Sequence, residues 1–218
     1  MNHTRGTATA VAIAAGAAFG ISQWPRMTNW GCTAAEAESE MPGDEIIGAA
    51  KYRTTHAVTI EARCERVWPW LVQMGQGRGG MYSYDWLENL LGLHMHTAER
   101  IVPELQGLAV GDIIRLVPDG TEPALQFAVA SLEPPHVLVL GPDSTRQAAL
   151  SSGLPYPVWT FQLAPVGDQA SRLVVRFQSD FKPTPMGFLM NKYALEPVHF
   201  VMERKMLLGI KERAERAA

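Results

Sequence analysis

The sequence predicts an α+β domain in which a curved antiparallel sheet wraps around a long C-terminal helix. Three observations predict it: a period-two strand followed by two short amphipathic helices, five further strand-like runs joined by short turns, and a 3.6-residue apolar stripe near the C-terminus. Residues 54–62 place His56, Val58 and Ile60 on one face of a strand and Thr55, Ala57, Thr59 and Glu61 on the other. The period then changes. Val67, Trp70, Leu71 and Met74 fall at i, i+3, i+4 and i+7, so residues 63–74 read as a helix, with Pro69 predicting an early kink or a late start. A second short helix is expected over 84–91, with Trp86, Leu87, Leu90 and Leu91 on one side and Asp85 and Glu88 left to solvent or a pocket.

Residues 112–117, 124–132, 136–140, 158–163 and 171–178 are rich in aliphatic and aromatic side chains. Pro118-Asp119-Gly120, Pro134-Pro135 and Gly167-Asp168 punctuate them, and turns this short favour antiparallel pairing. The last run alternates Leu173, Val175 and Phe177 with Arg172, Val174 and Arg176, which predicts one core face and one partly wet face. Residues 186–216 complete the domain as a helix interrupted or bent near Pro197. Its stripe is Leu195, Val198, Met202, Met206 and Ile210, with Glu203, Arg204, Lys211, Glu212 and Arg216 placed elsewhere.

Composition bounds the function. A chain of 218 residues with 47% hydrophobic content holds one main domain and an appendage. The net charge of -3, from 19 basic and 22 acidic residues spread along the chain, lacks the basic stripe that nucleic acid requires. Cys32 and Cys64 have no metal or redox spacing and read as small apolar fillers. Residues 1–25 form a weakly hydrophobic segment. Its stretch 6–25 carries no charge and reads as a signal, a membrane anchor or a loosely packed soluble helix, so membrane association and a cytoplasmic location both stand as readings. Residues 26–50 read as a linker, and 51–218 as the folded domain.

Candidate site residues concentrate in 73–104, where glycines, aromatics, histidines and arginines mix without a regular period, as a pocket rim requires. Arg78 offers a planar clamp for a carboxylate or phosphate, and Tyr82, Tyr84 and Trp86 offer apolar walls with polar tips. His94 and His96 have a spacing compatible with a metal, but no third ligand is fixed by sequence, and no metal or cofactor is assigned. Arg100 is expected to pair with Asp85 or Glu88. The glycines follow a helix rather than a strand and lack the Gly-Lys-Ser/Thr ending of a phosphate loop, while GxSxG and HExxH are absent. Trp159 and Phe161 share a strand face, and Tyr193, His199 and Met202 lie at the start of the apolar part of the last helix, all five as candidate ligand-binding residues.

The segments TIEARCERVWPWLVQMGQGRGGMYSYDWLENLLG, HTAERIVPE and HFVMERKMLLGIK, in this order of elements, resemble bacterial members of the SRPBCC superfamily. The resemblance spans residues 30–214 and implies the START or birch-pollen-allergen type of helix-grip fold. It implies an internal cavity that binds a hydrophobic small molecule such as a lipid or polyketide. Two alternatives accompany it: a polyketide-cyclase or dehydratase-like enzyme using Arg78, Tyr82, Tyr84 and His94, with acid-base work by a histidine and a tyrosine, and a membrane-tethered interaction protein with a filled cavity. Neither the residues nor the resemblance fixes the oligomeric state.

Overall fold

A computed structural model describes residues 27–48, 50–121, 125–142, 156–180 and 196–216. Its described helices are α1 (Ala34–Glu38), α2 (Asp44–Ile47), α3 (Cys64–Val72), α4 (Asp85–Leu90) and α5 (Glu196–Arg216). The strands are β1 (Tyr52–Ile60), β2 (Ile113–Arg115), β3 (Gln126–Glu133), β4 (Val137–Gly141), β5 (Tyr156–Val166) and β6 (Ala170–Asp180). They form one antiparallel sheet in the order β1-β6-β5-β4-β3-β2. The first strand thus crosses over to pair with the last, as the helix-grip arrangement requires.

Register makes the inner face. His56 lies opposite Val175, Val58 opposite Leu173, Phe161 opposite Val175 and Leu138 opposite Phe161, so one set of alternate residues lines up across the sheet. This set is buried with Val67, Trp70 and Leu71 of α3 and with Met206, Leu207, Ile210 and Ala214 of α5. Each large aliphatic side chain removed from water there contributes about 1.5–3 kcal/mol before entropy is counted. Helix α3 begins at Cys64 and runs through Pro69 without starting late. Cys64 is a buried free thiol and Cys32 a half-buried one.

The outer face is also covered. Residues 27–48, within the segment read as a linker, lie along it. Met41 packs with Ala57 and Val174, and Ile46 and Ile47 pack on Val137, Val139 and Val158. Arg176, expected to face water in part, is 1% exposed. Its guanidinium donates to the carbonyls of Glu36, Ala37 and Ser39 and to Asp44 Oδ2, 2.6 Å away. Arg172 donates to both carboxylate oxygens of Glu36, at 2.7 and 2.8 Å, which holds the Glu36 carboxyl down at about 2 against the opposing effect of burial. Two arginines on alternate positions of β6 therefore fasten the segment to the sheet. Alternation marked them as outward-facing but carried no sign of what would cover them.

Helix α5 packs closely on the chain before α4. A Cβ on Gly209 would stand 2.4 Å from the Tyr82 carbonyl oxygen, so only glycine permits this approach. Only residues 196–216 of the helix expected over 186–216 lie within the described residues, which leaves Leu195 and Tyr193 outside them. The face turned to the sheet also differs from the expected stripe. Val198 is exposed, whereas Glu203 is buried with Met206, Leu207, Ile210 and Ala214. His199, Glu203, Leu207 and Ile210 recur at helical spacing on one face, and a buried polar partner offsets the cost of turning Glu203 inward.

Candidate functional site, a buried polar centre between sheet and helix

The partner is His56 of β1. Its Nδ1 lies 2.6 Å from Glu203 Oε1, and its Nε2 lies 2.6 Å from the Met27 carbonyl oxygen. A carbonyl only accepts, so Nε2 carries hydrogen, and a single further proton is shared by His56 and Glu203. Both side chains are fully buried. Burial alone would push the Glu203 carboxyl up, but the facing His199 and His56 outweigh it and hold the carboxyl at about 2. Burial would likewise lower His56, yet its bond to Glu203, that group's charge and the Met27 carbonyl leave it raised. The pair is best described as imidazolium and carboxylate.

His199, one helical turn before Glu203, completes the centre. Its Nε2 is 3.1 Å from Glu203 Oε2, near enough for an electrostatic pair, although the ring is not aligned for a hydrogen bond. The imidazole lies 4.3 Å from the Phe177 ring, 6.2 Å from Trp159 and 6.5 Å from Tyr52, measured between centroids. Trp159 also meets Phe161 at 5.0 Å and Phe127 at 6.0 Å. Burial, reinforced by the Glu196 and Glu203 carboxylates, raises Tyr52 and keeps its phenol protonated. Within this aromatic wall the Trp159 Nε1 and both His199 nitrogens are buried and make no hydrogen bond among the described residues. A buried Trp N–H ordinarily has a partner, and a buried polar group without one costs about 1–3 kcal/mol.

The 73–104 segment, expected as a pocket rim, is bonded largely to neighbouring backbone. Arg78 donates to the carbonyls of Val72, Met74 and Leu105, closing the end of α3 rather than presenting a free clamp. Tyr82 is buried, donates its hydroxyl to the Trp70 carbonyl at 2.9 Å and carries Arg213 over its ring at 5.3 Å. Half-buried Tyr84 caps the start of α4, its carbonyl accepting from Leu87 and Glu88. His94 and His96 are exposed, and among the described residues no three His, Cys, Asp or Glu side chains gather as a metal site would need. Ser83 donates to the Met202 carbonyl, tying half-buried Met202 to this segment. Arg100 is exposed, and its expected partner Asp85 instead accepts from the Thr97 amide and hydroxyl.

Helix α4 is turned over relative to the sequence expectation. Trp86, Leu90 and Leu91 are 69%, 75% and 73% exposed, while Glu88 is 5% exposed. The polar residues explain the orientation. Asp85 grips Thr97, and Asn89 bonds the backbone of Met95 in both directions, so the Asp85-Glu88-Asn89 side faces the following loop. Burial, then the nearby Asp85 charge, pushes the Glu88 carboxyl up to about 7. Trp86 therefore lies outside any interior wall, and the structure joins Trp159, Phe161 and His199 but not the other described candidates.

Two members of the centre escaped sequence reasoning. His56 was visible on the inward side of an alternating strand, and Glu203 was visible four residues after His199, the spacing that stacks two side chains on one helix face. Their meeting depends on a long-range register between β1 and α5 that no local pattern encodes.

Fold and site together define an α+β protein of helix-grip arrangement with a buried histidine-carboxylate centre. No family model matches the chain, and no curated protein matches it by sequence. Among solved structures, truncated norcoclaurine synthase from Thalictrum flavum is similar at 15% identity and a TM-score of 0.44, over 74% of this chain and 91% of that one. A conserved protein from Geobacillus kaustophilus matches at 11% identity and a TM-score of 0.45, over 76% and 97%. The Aha1 dimer from Colwellia psychrerythraea matches at 16% and 0.40, over 75% and 96%.

Proposed function

We propose that the protein binds a small, largely apolar molecule between the concave face of the sheet and α5, with one oxygen of the guest directed at the polar centre. The carrying observation is the set of buried polar atoms on Trp159 and His199 that lack partners among the described residues, within an aromatic wall. Trp159, Phe161, Phe177 and Tyr52 suit a flat apolar body, and the Trp159 N–H can only donate, which asks for an accepting oxygen. The Glu203 carboxylate with His56 leaves the centre poorly suited to a guest that is apolar throughout. The helix-grip fold suits this reading, since its sheet and long helix enclose a common interior.

The weakly hydrophobic 6–25 segment lies outside the described residues, and membrane contact through it is a separate proposal. No described helix is long and apolar enough to cross a membrane. Native mass spectrometry of gently purified protein tests the binding reading. A bound apolar compound that is lost from a Trp159→Ala, His199→Ala double variant is the expected result. Reproducible absence of any adduct, together with no retention of supplied apolar ketones or acids, would contradict it and favour an interaction protein with a filled interior.

A further inference from the structure

We propose that His199 is a catalytic base, positioned by Glu203, that moves a proton at the carbon next to the carbonyl of an apolar ketone. The inference rests on the binding reading above and adds a reaction to it. Three geometric facts carry it. Glu203 divides its oxygens, Oε1 to His56 and Oε2 to His199, and His56 is itself fixed by the Met27 carbonyl. In a neutral imidazole, a carboxylate facing Nε2 favours hydrogen on that nitrogen and leaves the lone pair of His199 on Nδ1, which has no partner among the described residues. The Trp159 N–H, which has no partner among the described residues, belongs to the same aromatic cluster, its ring 6.2 Å from that of His199 between centroids.

These are the parts of an enolisation site: a base, a group that orients it and a donor for the oxygen on which charge grows. The carbon–hydrogen bond breaks and its proton goes to Nδ1. Its electron pair becomes the carbon–carbon double bond, and the carbonyl π pair moves to oxygen, which the Trp159 N–H supports. The resulting imidazolium faces Glu203, so the new positive charge is compensated where it forms. Return of the proton to carbon regenerates the ketone, and no oxidant or other reactant is consumed. Arg78, Tyr82 and His94 take no part, because the first two are bonded to backbone carbonyls and the third is exposed.

The test uses the full chain and 2-tetralone, a bicyclic aromatic ketone, in heavy water. Binding is followed by tryptophan fluorescence, and replacement of the α-hydrogens by deuterium is followed by proton NMR. Exchange on the protein is expected to exceed the buffer rate by about 10²–10⁴-fold, the usual range for a positioned acid or base. His199→Gln is expected to bind the ketone while losing that acceleration. Glu203→Gln is expected to lower the saturated rate with little change in the half-saturating concentration; if it does not fold, His199→Gln still decides. Bound ketone that exchanges no faster than in buffer, or undiminished exchange in His199→Gln, would overturn the catalytic role and leave binding intact. Failure of the ketone to bind up to its solubility limit would overturn both.

Discussion

At the scale of single residues, a buried charge is tolerable only when it is paired, and Glu203 is paired on both sides. Removing it strands the His56 imidazolium, so Glu203→Ala is expected to lose about 3–5 kcal/mol of unfolding free energy at pH 6. The pH dependence follows from the direction of each shift. Glu203 is held at about 2 against an ordinary 4.5, so its contribution is present above 4.5 and is lost as the pH falls toward 2. His56 is raised above 6.5, so its contribution is complete below 6.5 and is lost as the pH rises through its folded value. Urea unfolding should therefore show the largest gap between wild type and variant from pH 4.5 to 6.5, narrowing on both sides. Glu88 behaves in the opposite sense to Glu203. Its carboxyl, raised to about 7, makes folding less favourable as the pH rises from 4.5 through 7, so Glu88→Gln should raise the melting temperature at pH 8 and change it little at pH 5.

At the scale of elements, strands were more legible than the facing of helices. Alternation located β1 through β6 to within a few residues, because a pleated strand buries every second side chain whatever it pairs with. Helices α4 and α5 misled for one reason: a polar residue with a specific partner can face inward and displace an apolar one. Asn89 and Asp85 turn α4 toward its loop, and His56 turns Glu203 toward the sheet. The partners lie 6 to 147 positions away in sequence, and those bonds have no local signature. The glycine-rich segment was identified correctly as unusual, but its arginine and tyrosine hydroxyl bond backbone carbonyls. The close seat of α5 gives a direct test at this scale. Gly209→Ala drives a methyl group onto the Tyr82 carbonyl, and a loss of about 1–3 kcal/mol is expected, against the small gain that alanine brings to an open helix position. A variant as stable as wild type would show that the two segments are less closely packed.

At the scale of the whole molecule, the protein is a sheet covered on both faces: by α3 and α5 inside, and by residues 27–48 outside. A chain beginning at Lys51 would expose Ala57, Val137, Val139, Val158 and Val174 and leave the Arg176 guanidinium with Thr55 alone of its five partners. Such a truncation is expected to aggregate or to melt well below the full chain, as read by light scattering during a thermal scan; equal stability would return residues 27–48 to the status of a linker. The same covering segment reaches the interior, since the Met27 carbonyl holds His56 and Trp30 lies 6.4 Å from the His56 ring. The polar centre is thus built from the beginning, middle and end of the described chain. Among the described residues that construction leaves the Trp159 N–H and the His199 nitrogens without hydrogen-bond partners, and the indole N–H reports directly on a bound oxygen. In a 15N-labelled protein, with the Trp159 indole assigned by Trp159→Phe, titration with apolar ketones and carboxylic acids should move the indole N–H resonance downfield and saturate. An indole signal unmoved by every such compound, in a protein that remains folded, would contradict the account.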